Sequence, residues 1–376
     1  MLTHLELICK FNAIPIKNKI LDGGRIHNLD ELPIPNYSLW PKLDAFITAR
    51  LTDAFAEDGK PLRWLPYETS RGCPHRCNFC EIHTVKNCKY RVKSPAKVVK
   101  EVIALVQKHD LTHVKFIDDN LPAIIGRAEE IAKLIVESGV KFTFDIEVRA
   151  DYFGESRKVT SSILDLFKQA GLVQCTLGLE SGSQRVLDLM NKGEEVEDGT
   201  LAVSMLAKHD IYTRASFITG YPGEEKKDVL KTAKHITRLR RYNKFICGVV
   251  TLRPYPGTPL TKELVAQGVI VHPTTLEGWS DPDLISVYTY TDDQGAVRSW
   301  QPNWELASGI AFYNNVESGA RIRKDMVKKK ALLWVYSLFY ISAWLRNRLC
   351  FYSFQVERPL YRRFHDYVFK VENVKD

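Results

Sequence analysis

Apolar residues in the middle of the chain alternate between two spacings. In residues 94–110, SPAKVVKEVIALVQKHD, they recur three and four positions apart, which places them on one face of a helix. Ser94 suits the cap of that helix, and Pro95 suits its first turn. The run that follows, THVKFIDDN, is too short for a helix and ends in polar residues, as a buried strand does. Residues 94–120 therefore predict one helix followed by one strand.

The alternation of strand and helix repeats over residues 63–260. Five further apolar runs predict strands, namely RWLPYETSRGC, KFTFDIEVRA, LVQCTLGLE, YTRASFITG and FICGVVTLRPYPGT. Two of the helical segments between them end at Gly139 and Gly171, a residue type that favours helix ends. Six strands separated by helices predict an α/β fold, with a parallel sheet joined by right-handed crossovers in fewer units than an eight-unit barrel.

Polar residues follow three of the predicted strands at their carboxyl ends, where parallel barrels carry their chemistry. They are Asp118, Asp119 and Asn120 after the second strand, Arg149 after the third, and Glu180 and Ser181 after the fourth. The first three also suit a turn and helix cap. Arg149 suits either a solvated surface position or the binding of a carboxylate. The pattern alone leaves both interpretations open.

Three cysteines lie close together in RGCPHRCNFC, directly after the first predicted strand: Cys73, Cys77 and Cys80. Three thiolates favour an iron–sulfur cubane in which one iron has no protein ligand and can bind a small molecule. Zinc is an alternative because His75 and His83 lie nearby, but the second ligand pair that zinc ribbons usually need does not follow. A reactive or structural thiol cluster is a third possibility.

The CxxxCxxC spacing, with Phe79 directly before the last cysteine, resembles the signature of the radical S-adenosylmethionine (radical SAM) superfamily. The segments GLESGSQRVLDLMNKG, GYPGEE and RPYPGTPL resemble further motifs of that family in the same order, so the resemblance covers about residues 66–260. It implies a partial (β/α)6 TIM-type barrel. It also implies that Cys73, Cys77 and Cys80 hold a 4Fe-4S cluster whose open iron binds S-adenosylmethionine.

The resemblance implies a cofactor pocket around that cluster. The predicted cofactor-binding residues are Phe79, Asp118, Asp119, Asn120, Arg149, Glu180 and Ser181. In the family, the end of the second strand approaches the methionine amino group, and the ESG segment lines the ribose and methionine side. The GYPGEE turn has its counterpart near the adenine.

The flanking segments predict three domains: an N-terminal strap over residues 1–60, the radical SAM core over residues 61–260, and a mainly helical extension over residues 261–376. Within the strap, LDELPIP resembles the linker that follows the cobalamin-binding domain in cobalamin-dependent members. Only about 25 residues precede it, too few for a corrinoid site, and the DxHxxG cobalamin signature is absent. We therefore expect that this chain alone does not retain cobalamin.

The extension contains a nearly continuous apolar run at residues 331–345, with three lysines before it and Arg346 and Arg348 after it. A helix of this length spans roughly 22 Å, less than the roughly 30 Å hydrocarbon core of a bilayer. The run therefore predicts either a buried helix that caps the barrel or an interfacial helix with aromatic and basic anchors, which makes peripheral membrane contact through residues 331–350. No further CxxC follows, so we expect no auxiliary cluster.

The composition is that of a globular protein, with 45% apolar and 26% charged residues among 376. The N-terminus shows no signal-peptide pattern, and five of the eight cysteines are scattered, so we expect a reducing cytoplasm. The net charge of +8 is spread along the chain, so no nucleic-acid partner is expected.

The resemblance implies an enzyme that takes one electron from an external flavodoxin- or ferredoxin-type donor. It would cleave S-adenosylmethionine to a 5′-deoxyadenosyl radical and abstract hydrogen from a small-molecule or lipid-like substrate. Dehydration, dehydrogenation, epimerisation or carbon–carbon bond formation are the reactions expected first. Two alternatives remain: a cobalamin-assisted radical methyltransferase with a separate corrinoid partner, and a non-catalytic relative that binds the cluster and S-adenosylmethionine.

Overall fold

The computed structural model describes residues 26–48, 62–82, 84, 89–281, 301, 303–323 and 330–371. Its strands are β1 Trp64–Tyr67, β2 Ser70–Arg71, β3 Arg91–Val92, β4 His113–Phe116, β5 Thr143–Val148, β6 Leu172–Glu180, β7 Tyr212–Thr219 and β8 Phe245–Thr251. β2 and β3 form a small antiparallel pair. The other six form one sheet in the order β1-β4-β5-β6-β7-β8, and every pairing in it is parallel.

Helices lie between these strands and continue after the last one. They are α1 Leu43–Ile47, α2 Pro95–His109, α3 Ile125–Ser138, α4 Ser161–Ala170, α5 Gln184–Leu189, α6 Val196–Lys208, α7 Lys226–Leu239, α8 Pro259–Ala266, α9 Leu276–Ser280, α10 Trp304–Arg323, α11 Lys330–Leu349 and α12 Glu357–Val371. The predicted partial (β/α)6 barrel, with a mainly helical C-terminal region, is confirmed.

Helix α2 shows why the local sequence predicted these elements well. The Ser94 side chain accepts a hydrogen bond from Lys97 N, and Pro95 opens the helix. Val98 and Val102, one turn apart, are fully buried against the sheet. Full burial of such a side chain stabilises the fold by about 1.5–3 kcal/mol. Capping and periodicity thus favour the same helix.

Side chains alternate between the two faces of the sheet. On β5, Phe144 and Ile146 pack into the main core with the outer helices. Asp145, between them, points to the opposite face, where its Oδ2 accepts a hydrogen bond from Nζ of Lys115 on β4 at 2.9 Å. Since the helices cover the outer face, these polar side chains line the inside of the barrel.

The described part of the N-terminal strap lies against the first units of the barrel. Asp30 Oδ1 accepts a hydrogen bond from Ser94 N at 2.8 Å, and the Tyr37 hydroxyl donates to Pro66 O at 2.9 Å. LDELPIP is therefore fixed to the barrel rather than extended from it. Residues 1–25 and 49–60 of the predicted strap lie outside the described residues.

Helix α10 packs along β8, the last strand of the sheet. The side-chain amide of Asn315 pairs with the backbone of Val249: it accepts from Val249 N at 2.8 Å and donates to Val249 O at 2.8 Å. Arg240 Nη1 donates to Glu317 Oε2 at 2.7 Å and ties α10 to the end of α7. Helix α10 therefore forms part of the barrel wall. Residues 282–300 lie outside the described residues.

Helix α11, which contains the apolar run, is only half buried. Tyr336, Ala343 and Asn347 face inward, whereas Trp334 and Leu338 are exposed. The prediction of a buried capping helix is therefore met by one face of α11. None of the helices in the described ranges is long and apolar enough to cross a membrane.

Candidate active site at the carboxyl ends of the strands

The segment that we call the cysteine loop, residues 69–82, begins just beyond β1 and is held by a carboxylate at the end of β4. Asp118 Oδ1 accepts hydrogen bonds from Thr69 N at 2.9 Å, from Thr69 Oγ1 at 3.0 Å and from Ser70 Oγ at 2.6 Å, as well as from Ser70 N. Burial raises the pKa of Asp118 to about 6. In this geometry, Asp118 serves to fix the start of the loop.

The neighbouring carboxylate holds the next residue of the loop. Asp119 Oδ2 accepts a hydrogen bond from Gly72 N at 2.8 Å. Gly72 has a φ of +94°, and a Cβ there would lie 2.4 Å from Lys89 O. Only glycine fits both requirements. Asp119 and Gly72 together set the direction in which the chain enters the three cysteines.

Asn120 faces the cysteines directly. Its Nδ2 donates to the Tyr152 hydroxyl at 3.0 Å and lies 3.8 Å from Cys73 Sγ. The same hydroxyl contacts His75 Nε2 at 2.8 Å. Asn120 Oδ1 is buried without a hydrogen-bond partner. Since buried acceptors are nearly always satisfied, this oxygen is suited to receive a donor from a bound molecule.

Arg149, after β5, lies beside the second cysteine. Its Nη1 is 3.9 Å from Cys77 Sγ. Its Nε donates to Asp151 Oδ1 at 3.0 Å, while Nη2 donates to Lys192 O at 2.9 Å and lies 3.2 Å from Glu194 Oε1. The guanidinium group is buried and largely engaged within the protein.

A buried ionic group follows β6. Nζ of Lys192 lies 3.7 Å from Glu180 Oε1 and 3.8 Å from Glu194 Oε1. Glu180 has a φ of +57°, and a Cβ at Gly178 would lie 2.4 Å from Glu180 Oε1. The left-handed backbone of Glu180 is strained for a residue with a side chain, and such strain concentrates at functional sites.

Burial dominates the electrostatics of this group. It raises the pKa of Glu180, and it raises the pKa of Glu194 to about 7 although Lys192 and Arg149 oppose the change. Burial also pushes the pKa of Lys192 downward, but the contacts with Glu194 and Glu180 leave its pKa raised. The site therefore keeps a buried ammonium group close to Cys77.

The remaining predicted residues, Ser181 and Phe79, contact neighbouring elements of the protein. Ser181 Oγ accepts a hydrogen bond from Ser183 N at 3.1 Å and lies 3.1 Å from Thr232 Oγ1 on α7. Phe79 packs against a second apolar cluster that includes Met190 and Tyr221. Both residues support the loops that carry the site.

The three thiols are neighbours in the structure. Burial raises the pKa of Cys80 to about 11, and Cys77 and Cys73 are close enough to raise it further. No group of three or more His, Cys, Asp or Glu side chains in the described ranges is arranged to hold a metal ion as it stands. The thiols share one loop, and Asn120 and Arg149 lie at two of the sulfurs, so the donor set fits a cluster ligated through Cys73, Cys77 and Cys80.

Comparison with known families identifies the kind of domain that contains this site. Residues 67–236 match the model described as the Radical SAM superfamily. This chain carries a radical SAM domain. Enzymes of that superfamily use a 4Fe-4S cluster and S-adenosylmethionine and take their electron from an external donor. The predicted family, fold and cofactors are thereby confirmed, whereas the assignment of individual residues to those cofactors remains a prediction.

Two curated relatives overlap the radical SAM domain. The chain is 30% identical over 247 residues to an uncharacterized methyltransferase of Pyrococcus horikoshii, a match that covers 65% of this chain and 49% of the relative. It is 29% identical over 195 residues to an anaerobic magnesium-protoporphyrin IX monomethyl ester cyclase of Rubrivivax gelatinosus, covering 52% of this chain and 34% of the relative. The chain thus spans about half or less of the length of these relatives.

Among solved structures, the chain is similar to the apo form of the cobalamin-dependent S-adenosylmethionine radical enzyme OxsB. The TM-score is 0.57 at 16% sequence identity, and the match covers 85% of this chain and 49% of that chain. At this level of identity, the similarity shows a shared fold and nothing beyond the fold.

Sequence reasoning missed several residues of the radical SAM domain. Asn78, within the cysteine pattern, donates to Leu189 O at 2.7 Å and accepts from the Tyr221 hydroxyl at 2.6 Å. Lys192 lies in GLESGSQRVLDLMNKG, which was interpreted through its family resemblance and not through its charges, and Glu194 follows that segment directly. The sequence feature that could have indicated Lys192 and Glu194 is the occurrence of charged residues beyond the end of a strand. His83, considered as a zinc ligand, lies outside the described residues.

Proposed function

We propose that this chain is the radical SAM component of a cobalamin-assisted methyltransferase that works with a separate corrinoid-binding partner. The observation that carries the proposal is the described part of the strap. LDELPIP, which resembles the linker after a cobalamin domain, is docked on the barrel through its Asp30 and through Tyr37, two residues after it. A corrinoid-binding partner at this strap would lie beside the barrel.

The comparisons support this alternative better than the reactions that the sequence analysis put first. The Pyrococcus relative is named a methyltransferase, and OxsB is named as cobalamin-dependent. Dehydration, dehydrogenation and epimerisation have no such support among these proteins. The cyclase relative acts on a magnesium porphyrin ester, so a lipid-like or tetrapyrrole substrate is compatible with the same domain.

The residues at the carboxyl ends of the strands would have different roles in binding the cluster and S-adenosylmethionine. Cys73, Cys77 and Cys80 would hold the cluster, which supplies the electron that cleaves S-adenosylmethionine. Asn120 Oδ1 would accept a hydrogen bond from the ammonium group of the methionine part of S-adenosylmethionine. This oxygen is buried without a hydrogen-bond partner, and its residue lies beside Cys73. Glu180, held near Lys192, would face the same ligand from β6.

The test begins with anaerobically reconstituted protein. We expect about four irons and four sulfides per chain, and loss of both when any of the three cysteines is changed to alanine. Cys350→Ala is the matched control because Cys350 lies far along the chain, at the end of α11. Stoichiometric zinc without iron in anaerobically purified protein would overturn the cluster assignment.

The second measurement separates methyl transfer from other radical chemistry. Reduced protein with S-adenosylmethionine should form 5′-deoxyadenosine. It should form S-adenosylhomocysteine only when a corrinoid-loaded partner is added. The isolated chain should not retain hydroxocobalamin in equilibrium dialysis. Formation of 5′-deoxyadenosine without S-adenosylhomocysteine in every combination would exclude methyl transfer, and absence of both products with an intact cluster would support the non-catalytic alternative.

A further inference from the structure

Helix α11 presents a row of exposed apolar side chains that no helix or strand among the described residues covers. Trp334, Leu338, Ile341, Leu345 and Leu349 are spaced three or four residues apart and are each between 45% and 75% exposed. This spacing places them on one side of a helix. Together with Phe351 and Phe354, which follow the helix, they form what we call the apolar surface.

The opposite side of α11 is fixed, so this row cannot turn inward. Asn347 Nδ2 donates to Glu317 Oε2 of α10 at 2.6 Å, and the Tyr352 hydroxyl donates to Asn347 Oδ1 at 3.0 Å. Tyr336 and Ala343 are buried on the same side. Packing of the inner side therefore determines that the apolar row faces outward.

The loop after α11 is built to expose a phenylalanine. Arg346 donates to Ser353 O at 2.8 Å through Nη1 and to Phe354 O at 3.0 Å through Nη2, and its Nη2 also lies 2.9 Å from Glu357 Oε2. Phe354 has a φ of +54° and is 81% exposed. A left-handed backbone at a phenylalanine is costly and persists only where the surroundings impose it. Here Arg346 imposes it, and an aromatic ring is held outward.

The charges within α11 and the loop that follows it, up to residue 356, have one sign. Residues 330–356 contain no aspartate or glutamate. Glu357, the first acidic residue, is paired with Arg346. Arg348 is exposed beside the Trp344 ring, with its Cζ 5.6 Å from the ring centroid, and Arg363 is exposed on α12. Tryptophan with arginine at the edge of an apolar stripe is the composition that binds the interface of an anionic bilayer.

We propose that the apolar surface docks on a membrane that contains anionic phospholipid. The aliphatic and aromatic row would enter the acyl boundary, and the arginines would remain at the headgroups. A protein partner is less well matched because the surface is an outward-facing helix with a protruding loop, not a groove, and its charge complements headgroups of uniform negative sign. This proposal does not depend on the reaction proposed above.

The apolar surface is connected to the end of the barrel that carries the candidate active site. Gln355 Nε2, in the loop beside Phe354, donates to Glu305 O at the start of α10 at 3.1 Å. Asn303 Nδ2, just before that helix, donates to Glu224 O in the turn after β7 at 3.3 Å. One end of the apolar surface is thus linked by direct contacts to the barrel end that carries the cysteines. A substrate dissolved in the membrane would meet the enzyme near its active site.

Vesicle co-sedimentation of the full chain tests the proposal. Wild-type protein should sediment with vesicles of phosphatidylcholine mixed with phosphatidylglycerol, more weakly with phosphatidylcholine alone, and less as salt is raised. The variant Leu338→Ser/Phe354→Ser should lose about tenfold in apparent partitioning. The control variant Leu39→Ser/Leu276→Ser removes two leucines that are 78% and 84% exposed elsewhere, and it should bind as wild type does.

Three results would overturn the proposal: no binding to anionic vesicles at low salt, equal loss in both variants, or binding unaffected by the first variant. Circular dichroism confirms that both variants are folded. Sedimentation velocity without vesicles tests the alternative that a second copy of this chain covers the apolar surface. A dimer that the first variant abolishes, in a protein that ignores vesicles, would assign the surface to a second copy of this chain.

Discussion

Nη1 of Arg149 lies 3.9 Å from the sulfur of Cys77, and hydrogen bonds made by the other nitrogens of the guanidinium group hold it there. Its Nη2 is bonded to Lys192 O, and its Nε to Asp151 Oδ1. A fixed cation at a thiolate favours the more negative, reduced state of a cluster held by that thiolate. Arg149 is therefore a positioning residue with an electrostatic effect on the cysteine loop.

Replacing Arg149 should change the reduction potential of the cluster. In Arg149→Gln, we expect the midpoint potential to become more negative by about 59 mV, the equivalent of one tenfold change in a one-electron equilibrium. A redox titration followed by electron paramagnetic resonance measures this shift. Arg63→Gln, which removes an arginine paired with Asp44 at the edge of the sheet, should leave the potential unchanged. An unchanged potential in Arg149→Gln with full iron content would show that the contact has no electrostatic effect.

Gly72 should be required for the cluster because of its backbone. In Gly72→Ala, the new Cβ meets Lys89 O at 2.4 Å at a φ of +94°, so the entry to the cysteine loop must move. We expect loss of most bound iron and a stability cost of roughly 1–3 kcal/mol or more. Gly139→Ala is the control: its φ is +69° but its Cβ would have open space. Urea unfolding should show a cost of about 1–2 kcal/mol for the control, with full iron content.

Glu180 should affect S-adenosylmethionine and not iron. Its carboxylate sits over Gly178 and near Lys192, beyond the cysteine loop. In Glu180→Ala, we expect weaker S-adenosylmethionine binding by isothermal titration, with unchanged iron per chain. Glu180→Gln, which keeps the size of the side chain, should show whether the charge matters. A fall in iron with unchanged cofactor affinity would mean that Glu180 only supports the loop.

Glu224 should make stability depend on pH. Burial raises its pKa to about 7, and its Oε2 accepts a hydrogen bond from Gly220 N at 2.6 Å. The folded protein therefore holds a proton that the unfolded chain loses near pH 4.5. Its contribution is present at low pH and is lost as pH rises from about 4.5 to about 7, by on the order of 3 kcal/mol.

Chemical denaturation across that pH range tests this contribution. Glu224→Gln should flatten the fall in the free energy of unfolding. Glu130→Gln, at an exposed position of α3, should not alter it. If both variants keep the wild-type slope, the titration belongs to another group, of which Glu194 is the first to examine because burial also raises its pKa to about 7.

The elements that were predicted well are those that local pattern determines. The helix from Pro95 to His109 follows from its apolar spacing and from the Ser94 cap, and strand β6 follows from a short, mostly apolar run that begins directly after Gly171. The strand-end residues of the site were found because parallel barrels gather their chemistry at that edge. These inferences needed no knowledge of distant contacts.

The roles of the same residues were less accessible because they depend on partners far along the chain. Asp118 binds Thr69 and Ser70, which are 49 and 48 positions away, and nothing near Asp118 in the sequence indicates this. The apolar run at residues 331–345 is apolar on every side, so periodicity could not determine which side of α11 would be buried. That choice is made by Asn347 and its contact with Glu317.

The pairing of Asn315 with Val249 protects the edge strand β8 from pairing with another molecule. An incomplete barrel ends in a strand whose outer backbone groups are free to recruit another chain, which is a common start of aggregation. On β8, one side-chain amide occupies the donor and the acceptor of Val249 in the way that a neighbouring strand would. A chain shortened to end at residue 260 would uncover this edge together with the apolar side of β8. It should then form β-sheet aggregates through β8, even though every strand of the barrel is present.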